Sequence, residues 1–287
     1  GAFLADVFVC SLGAYGGPEA HYGVFADHMV SRKKHLTEEE LLELIALTGI
    51  LPGPSSTQTI VAIGYKVGGP VLGALTLLVW AAPVLAVMTM LSFLGAFLEQ
   101  RRISPGILRY IGPMAVGFII VAAYRLGRKA IADKTAFLLM LFAGTTTYFI
   151  HEPWIYPLVL IAGGAFAAAA SKEKNIWNRV RLDPPWAYLA AFAATALAGF
   201  AAITVSDNRI VHLFESFYRY GYLVIGGGQV VVPLMFSELV EANRYMSDQE
   251  FLTGFGLVQG LPGPMFSFSA YAGGMAARGS GVLFQIL

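Results

Sequence analysis

The chain has 287 residues, of which 56% are hydrophobic and 13% are charged. Soluble globular domains carry about twice that share of charged residues, so the composition indicates an integral membrane protein. The net charge of +1 gives no basis for a nucleic-acid partner, and the single cysteine, Cys10, excludes a disulfide within the chain and a cysteine-based metal cluster.

The first predicted break is at Gly16 and Gly17, after an apolar segment at the start of the sequence. This segment has no small-residue cleavage site, so we predict no signal peptide. The two glycines either let the backbone approach a ligand or allow helices to cross closely. Glu19 and His21 follow them. Because ionisable residues in apolar surroundings are functional candidates, these two are candidates for proton coupling or for pairing.

A helix is predicted to begin at Thr37, because Thr37 and Glu40 have the spacing of a capping box. It can run only to about Leu51, roughly 22 Å, which is short of a full membrane crossing. The motif Leu-Pro-Gly-Pro interrupts it there. We therefore predict a half-helix, a break and a second half-helix that Pro54 starts.

Apolar stretches without charge recur along the chain, at residues 67–98, 135–150, 153–171, 184–206, 220–237 and 251–277. A bilayer core requires about 20 apolar residues per helix, so these stretches predict several spans. The basic loops 125–134 and 172–181 are two spans apart and are both predicted to be cytoplasmic. The basic segment 31–35 is also cytoplasmic if residues 37–66 enter the membrane and return on one face.

The second half of the chain repeats the first, with Pro262 matching Pro52 at an offset of 210 residues. At this offset Ser247 and Glu250 form a second capping box, and the motif Leu-Pro-Gly-Pro recurs. If residues 1–30 are also re-entrant, the first repeat has five crossings and the second begins from the opposite face. We therefore predict inverted repeats, with residues 1–205 as the first and residues 206–287 as the truncated start of the second.

The breaks suggest an anion site. A broken helix in lipid exposes backbone groups at a cost of several kcal/mol each, so such breaks lie within protein or line a cavity. A helix N-terminus binds anions, and hydroxyl and amide side chains behind Pro54 add donors, although they could instead cap their own helix. The candidate substrate-binding residues are Gly16, Gly17, Pro52, Gly53, Pro54, Ser55, Ser56, Thr57 and Gln58 in the first repeat, and Gly227, Gly228, Gln229, Pro262, Gly263, Pro264 and Ser267 in the second.

Signatures of enzymes are absent from the sequence. It contains no His-Glu-x-x-His helix, no Gly-x-Ser-x-Gly elbow, no P-loop and no dinucleotide-binding glycine motif. We therefore predict no catalytic residues, no cofactor and no metal site.

Four segments resemble the chromate ion transporter family: "YGGPEAHYGVF", "SRKKHLTEEELLELIALTGILPGPSSTQTIVAIGY", "GGGQVVVPLM" and "LVQGLPGPMFSFSAYAGG". The resemblance implies a bacterial inner-membrane carrier with two homologous halves of opposite orientation, which exports chromate and could handle sulfate. It also implies a second half that continues for well over a hundred residues. One departure is Tyr15, where family members often have phenylalanine.

The combined prediction is an all-α polytopic membrane protein with inverted repeats and broken, re-entrant helices at the Pro-Gly-Pro motifs. It would bind a small oxyanion where the two breaks converge and work by alternating access. Its predicted partners are the oxyanion, the lipid bilayer and a second copy in a homodimer. The alternatives are a permease for sulfate or another anion, and a membrane scaffold subunit that transports nothing.

Overall fold

The computed structural model of the chain describes residues 1–94, 97, 106, 110–131, 133–150, 155–170, 186–224 and 231–286. Within these residues the secondary structure is helical and contains no strand, which confirms the all-α prediction. The helices are α1 Ala2–Gly13, α2 Pro18–Phe25, α3 Glu38–Ile50, α4 Ser55–Ser92, α5 Ile111–Ala130, α6 Lys134–Phe149, α7 Ile155–Ala170, α8 Trp186–Val205, α9 Arg209–Leu223, α10 Val232–Phe236, α11 Asp248–Gln259, α12 Phe268–Ala276 and α13 Val282–Ile286.

The chain divides into two compact units. One unit contains residues 123–219 and includes the helices α6, α7 and α8. In this unit α9 packs on α8, where the Tyr218 hydroxyl donates to the Phe192 carbonyl oxygen at 3.0 Å. A buried, two-pronged ion pair joins Arg219 and Glu215 along α9. The other unit contains residues 1–122 and 220–287 and holds the motifs predicted to be functional.

Among the residues that the structure describes, α4 has the length and the apolar composition to cross a membrane. Shorter apolar helices occur at Ala2–Gly13, Ile111–Arg125, Leu158–Ala169 and Leu189–Val205.

Helix α4 is bent back on itself at Gly68 and Gly69, whose backbone dihedrals are not helical. The indole N–H of Trp80 donates to Thr57 Oγ1 at 3.2 Å, although these residues would lie about 34 Å apart along a straight helix. Residues 55–67 and 70–92 are therefore two helices packed side by side. Residues 70–92 alone extend about 35 Å, which is enough to cross a bilayer core of about 30 Å.

Helix α3 and residues 55–67 form an antiparallel pair, hairpin 1, whose tip is residues 51–54. Near the tip, Thr48 Oγ1 and Thr59 Oγ1 are 2.7 Å apart, and at the open end Lys66 Nζ lies 2.9 Å from Glu40 Oε1. The predicted helix end near Leu51 and the new start after Pro54 are confirmed. Each helix of the pair is about 20 Å long.

Helices α11 and α12 form the equivalent pair, hairpin 2, whose tip is residues 261–264. At its open end Arg278 Nη2 lies 2.7 Å from Glu250 Oε1, and the Tyr271 hydroxyl donates to the Glu250 carbonyl oxygen at 3.0 Å. Both predicted capping boxes are confirmed, because the side chains and backbone N–H groups at the start of α3 and α11 bind each other reciprocally.

The connections that lead into the two hairpins also match. Each contains a π-helical segment, Ala26–Arg32 after α2 and Ser237–Ala242 after α10. Each then has a non-glycine residue at positive φ, Lys34 at 53° and Arg244 at 51°. These two residues are 210 positions apart, the offset found in the sequence. The local backbone geometry of the two copies therefore follows the predicted duplication.

Candidate functional site

The two tips are held by hydrogen bonds that cross between the copies. Gly53, at a φ of 120°, donates its N–H to the Val224 carbonyl oxygen at 2.7 Å. Gly263, at a φ of 107°, donates its N–H to the Ala14 carbonyl oxygen at 2.8 Å. Ala14 and Val224 are themselves 210 positions apart, so each tip contacts the end of the other copy's first helix.

The glycine break after α1 lies near the tip of hairpin 2. Gly16 and Gly17 both have positive φ values, 91° and 89°, and Gly17 directly precedes α2. The break starts at Ala14, whose carbonyl oxygen accepts the N–H of Gly263. The structure therefore brings two predicted breaks together. The candidates of the second repeat's glycine break lie outside the described residues: Gly227, Gly228 and Gln229.

The helices behind the two tips begin without a side-chain cap. Pro54 directly precedes α4, and Pro264 directly precedes a short 3-10 turn, Met265–Ser267, that leads into α12. Gln58 N–H and Ser267 N–H already bind these prolines' carbonyl oxygens. The N–H groups between proline and that first bonded residue have no partner within their helix. Such N–H groups and the dipole of a helix attract negative charge, which is the basis on which the sequence predicts an anion site here.

Two predicted hydroxyl ligands bind other elements and do not cap their own helix. Ser56 Oγ lies 2.9 Å from Nδ1 of His21 on α2, and Thr57 Oγ1 accepts the indole N–H of Trp80. Ser56 is 5% exposed and Thr57 is 8% exposed, and Ser55 beside them is also buried. An anion can therefore reach these hydroxyls only if the packing around the tip loosens.

Gln58 braces the tip of hairpin 1. Its Nε2 donates to the Pro52 carbonyl oxygen at 2.7 Å, while its Oε1 is buried without a hydrogen-bond partner among the described residues. A Cβ atom at Gly53 would lie 2.5 Å from Gln58 Nε2. The structure therefore gives Gln58 a bond within the tip and leaves its acceptor oxygen buried.

His21 is buried against hairpin 1. It is 2% exposed, its ring packs edge-on against Trp80 with centroids 5.4 Å apart, and it bonds to Ser56 of hairpin 1. The Ala14 carbonyl oxygen, which binds the tip of hairpin 2, also lies close to the ring. Glu19 is exposed. Residues two apart on a helix face different sides, so the structure separates the two proton-coupling candidates.

Hairpin 2 has a different interior. Ser267 is the counterpart of Thr57, and its hydroxyl is buried, 1% exposed, with no partner in the part of the chain that the structure describes. Phe266, the counterpart of Ser56, lines a small apolar pocket with Val231, which occupies the position equivalent to His21. Phe268 packs against three further rings in this hairpin, those of Phe251, Phe255 and Tyr271.

The open ends of both hairpins carry glutamates with lowered pKa values. The Thr37 backbone N–H and then the Lys66 ammonium hold the pKa of Glu40 below its ordinary value. Partial burial raises the pKa of Glu250, but the Ser247 backbone N–H and the Arg278 guanidinium outweigh it, so the net shift is also downward. Both glutamates are therefore ionised at neutral pH and can hold their cations.

Sequence reasoning missed four residues that shape this site: Trp80, Thr48 and the two carbonyl groups at Ala14 and Val224. Ala14 and Val224 could have been found, because each precedes a predicted glycine break at equivalent positions. Trp80 carried no such signal, since its place depends on the bend at Gly68 and Gly69.

The chain is similar to known transport proteins. A family model described as Chromate transporter matches residues 2–169 and 211–287. The chain is 24% identical to the chromate transport protein of Pseudomonas aeruginosa over 268 residues, covering 92% of this chain and 63% of that protein. It is 25% identical to the chromate transport protein of Cupriavidus metallidurans over 273 residues, covering 92% and 64%.

A further relative, an uncharacterized transporter of Bacillus subtilis, is 26% identical over 160 residues, which cover 54% of this chain and 80% of that protein. The chain spans less than two thirds of the length of the two chromate transport proteins. No solved structure matches it. The family model nevertheless covers both copies of the repeat, so the chain belongs to the chromate transporter family, whose members are integral membrane transporters and not enzymes.

Proposed function

We propose that this chain forms the core of a secondary transporter that exports chromate by alternating access at a site between its two repeats. The observation that carries the proposal is the reciprocal pair of hydrogen bonds, Gly53 to Val224 and Gly263 to Ala14. It supports the proposal because each helix break is held by the other repeat, and carriers with discontinuous helices bind their substrates at the interface between repeats.

The chemistry of the tips favours a small oxyanion. Backbone N–H groups without a partner in their own helix, together with helix dipoles, attract negative charge, and Ser55, Ser56, Thr57 and Ser267 add hydroxyl groups. Relatives of the chain are named chromate transport proteins. Sulfate has the same charge and tetrahedral shape, so we include sulfate as a second substrate. The membrane potential favours anion exit by about 2.3 kcal/mol per charge per 100 mV.

In this proposal the two repeats, residues 1–205 and 206–287, are inverted in a bacterial inner membrane, and each hairpin is re-entrant with its tip near the midplane. The length of about 20 Å per hairpin helix supports this arrangement, because it is too short for a full crossing. Glu19 and His21 are the proton-coupling candidates. A homodimer is the proposed assembly.

Flux into liposomes tests the function. Purified protein is reconstituted, and the uptake of radiolabelled chromate and of radiolabelled sulfate is measured against protein-free vesicles and against the Gly53→Leu variant. We expect chromate flux well above both controls and a smaller sulfate flux. Sulfate flux without chromate flux would indicate a sulfate permease. No flux and no binding of either anion would indicate a scaffold subunit and would refute the proposal.

A further inference from the structure

The two hydroxyls of hairpin 1 differ in what their partners can do. Thr57 Oγ1 accepts a hydrogen bond from the indole N–H of Trp80, and an indole can only donate. The single hydrogen of Thr57 is therefore not used in that bond. Ser56 Oγ lies 2.9 Å from Nδ1 of His21, and an imidazole nitrogen donates or accepts according to its protonation.

The protonation of His21 decides how Ser56 uses its hydrogen. When the neutral ring carries its hydrogen on Nε2, Nδ1 accepts the hydroxyl hydrogen of Ser56, which cannot then serve a ligand. When a proton is added at Nδ1, that nitrogen donates to Ser56 Oγ, and the hydroxyl hydrogen of Ser56 is released. The other ring nitrogen, Nε2, is buried without a hydrogen-bond partner among the described residues.

We propose that a proton binding to His21 converts Ser56 into a hydrogen-bond donor to the oxyanion, so that proton and anion bind together at hairpin 1. Thr57 is the permanent donor and Ser56 the conditional one. His21 is a positioning residue in this scheme, since it acts through Ser56. The inference rests on the proposed function and adds the rule by which a proton controls that site.

The other titratable groups near His21 do not control the Ser56 hydroxyl. The titratable or charged groups on α2 and on the elements packed against it are Glu19 and Tyr22 on α2, Asp6 and Cys10 on α1, Tyr65 and Lys66 on α4, and Asp27, His28 and Arg32 on the π-helical segment. Of these, Lys66 binds Glu40 and Arg32 binds Asp27. Asp6 is bound by three basic side chains, His28, Lys33 and His35.

Equilibrium binding of sulfate to the purified full chain tests the inference, because sulfate itself does not titrate over the range in which histidine does, between about pH 5 and pH 8. The proteins compared are the unmodified chain, Ser56→Ala, Thr57→Val and His21→Asn. We expect the unmodified chain to bind about ten-fold tighter at the acidic end. Ser56→Ala should bind sulfate about ten-fold more weakly than the unmodified chain at the acidic end, and its affinity should change little at the alkaline end.

Thr57→Val should bind sulfate about ten-fold more weakly at both the acidic and the alkaline end of the pH range, because the Thr57 hydroxyl donates whether or not His21 is protonated. His21→Asn should bind sulfate equally at all pH values. Ser56→Thr, which keeps the hydroxyl, should restore the acid-dependent gain and shows that the loss in Ser56→Ala is not misfolding.

Two results would overturn the inference. If Ser56→Ala keeps the full gain in sulfate affinity at acidic pH, the charge of His21 attracts the anion without the Ser56 hydroxyl. An equal loss at both ends in Ser56→Ala would mean that Ser56 is a permanent donor. If the unmodified chain binds sulfate independently of pH, this inference fails alone. If it binds neither sulfate nor chromate at any pH, the proposed function fails with it.

Discussion

Hairpins 1 and 2 share the same frame, meaning their capping boxes, ion pairs and tip glycines, and differ in the side chains of their interiors. Each begins at a capping box, is closed by an ion pair at its open end, and turns at a glycine of positive φ that binds the other copy. Inside, hairpin 1 holds hydroxyl contacts, such as Thr48 with Thr59. Hairpin 2 holds packed aromatic rings, among them Phe251 and Phe268.

This difference separates the features that satisfy backbone hydrogen bonds from the side chains that only fill space. A buried N–H without a partner costs as much as a lost hydrogen bond, so the tip glycines and their carbonyl partners recur in both copies. The interior side chains are free to differ as long as they fill the space. We therefore propose that hairpin 1 supplies oxyanion specificity and that hairpin 2 supplies an apolar gate, with Phe266 and Phe268 closing over the anion.

If the copies are inverted, equivalent positions in them face opposite sides of the membrane, and labelling of single cysteines tests this. Cys10 is buried and is first replaced by serine. Cysteines are then placed at Ser31, within the π-helical segment Ala26–Arg32, and at Asn243, directly after the segment Ser237–Ala242; both residues are exposed. An impermeant maleimide should label each site from one side only, and the sides should be opposite. Labelling from the same side would indicate a parallel duplication.

Replacement of either tip glycine by leucine should reduce chromate flux to the level of empty vesicles, with normal insertion into the membrane. At Gly53 a side chain would be strained by the positive φ and would meet Gln58 Nε2 at 2.5 Å. At Gly263 it would meet Val84 Cγ1 at 3.0 Å. The two losses should be equal, because the two crossing hydrogen bonds are equivalent.

Gly49→Leu is the matched control for these variants. Gly49 lies in hairpin 1 before the tip and is exposed, and a Cβ atom added to it would have no neighbour within 4 Å. Its flux should remain near that of the unmodified chain. Unchanged flux in both tip variants would show that the breaks are ordinary kinks.

The sequence predicted the frame better than the interior. Capping boxes and Pro-Gly-Pro motifs act through local backbone chemistry, so the helix ends at Ile50 and Gln259 could be predicted. The partners of Ser56 and Thr57 could not, because His21 and Trp80 are distant in sequence and reach them only through tertiary packing. Residues 225–230, which contain the second glycine break, lie outside the described part of the chain.

The hydroxyls of hairpin 1 should matter more to affinity than their counterpart in hairpin 2. Thr57→Val should weaken chromate affinity by about ten-fold, since a hydrogen bond to a charged ligand contributes about 1.5–3 kcal/mol. Ser55→Ala should act similarly if its hydroxyl is a ligand. Ser267→Ala should change affinity less, because hairpin 2 presents mainly its dipole and aromatic rings. Equilibrium binding measures all three, and a larger loss at Ser267 would reverse the assignment of the hairpins.

The smallest effect is expected where the copies are most alike, at the ion pairs of the open ends. Glu40 and Glu250 have the same side-chain exposure, 35%. Each has a pKa below the ordinary 4.5. A lowered pKa in the folded state stabilises the protein above the ordinary value, and this contribution is lost as the pH falls through the lower folded value.

Glu250→Gln should therefore lower the unfolding temperature of the purified protein by a few degrees, about 2–4 °C, at neutral pH. Glu40→Gln should lower it to a similar extent. The difference from the unmodified chain should disappear in acid, because protonation then removes the same charge from the unmodified protein. Thermal unfolding at neutral pH and at about pH 3 measures this. A loss of thermal stability that persisted in acid would mean that these glutamates stabilise the hairpins through packing. Unequal losses at neutral pH would mean that the two ion pairs contribute differently to stability despite their similar geometry.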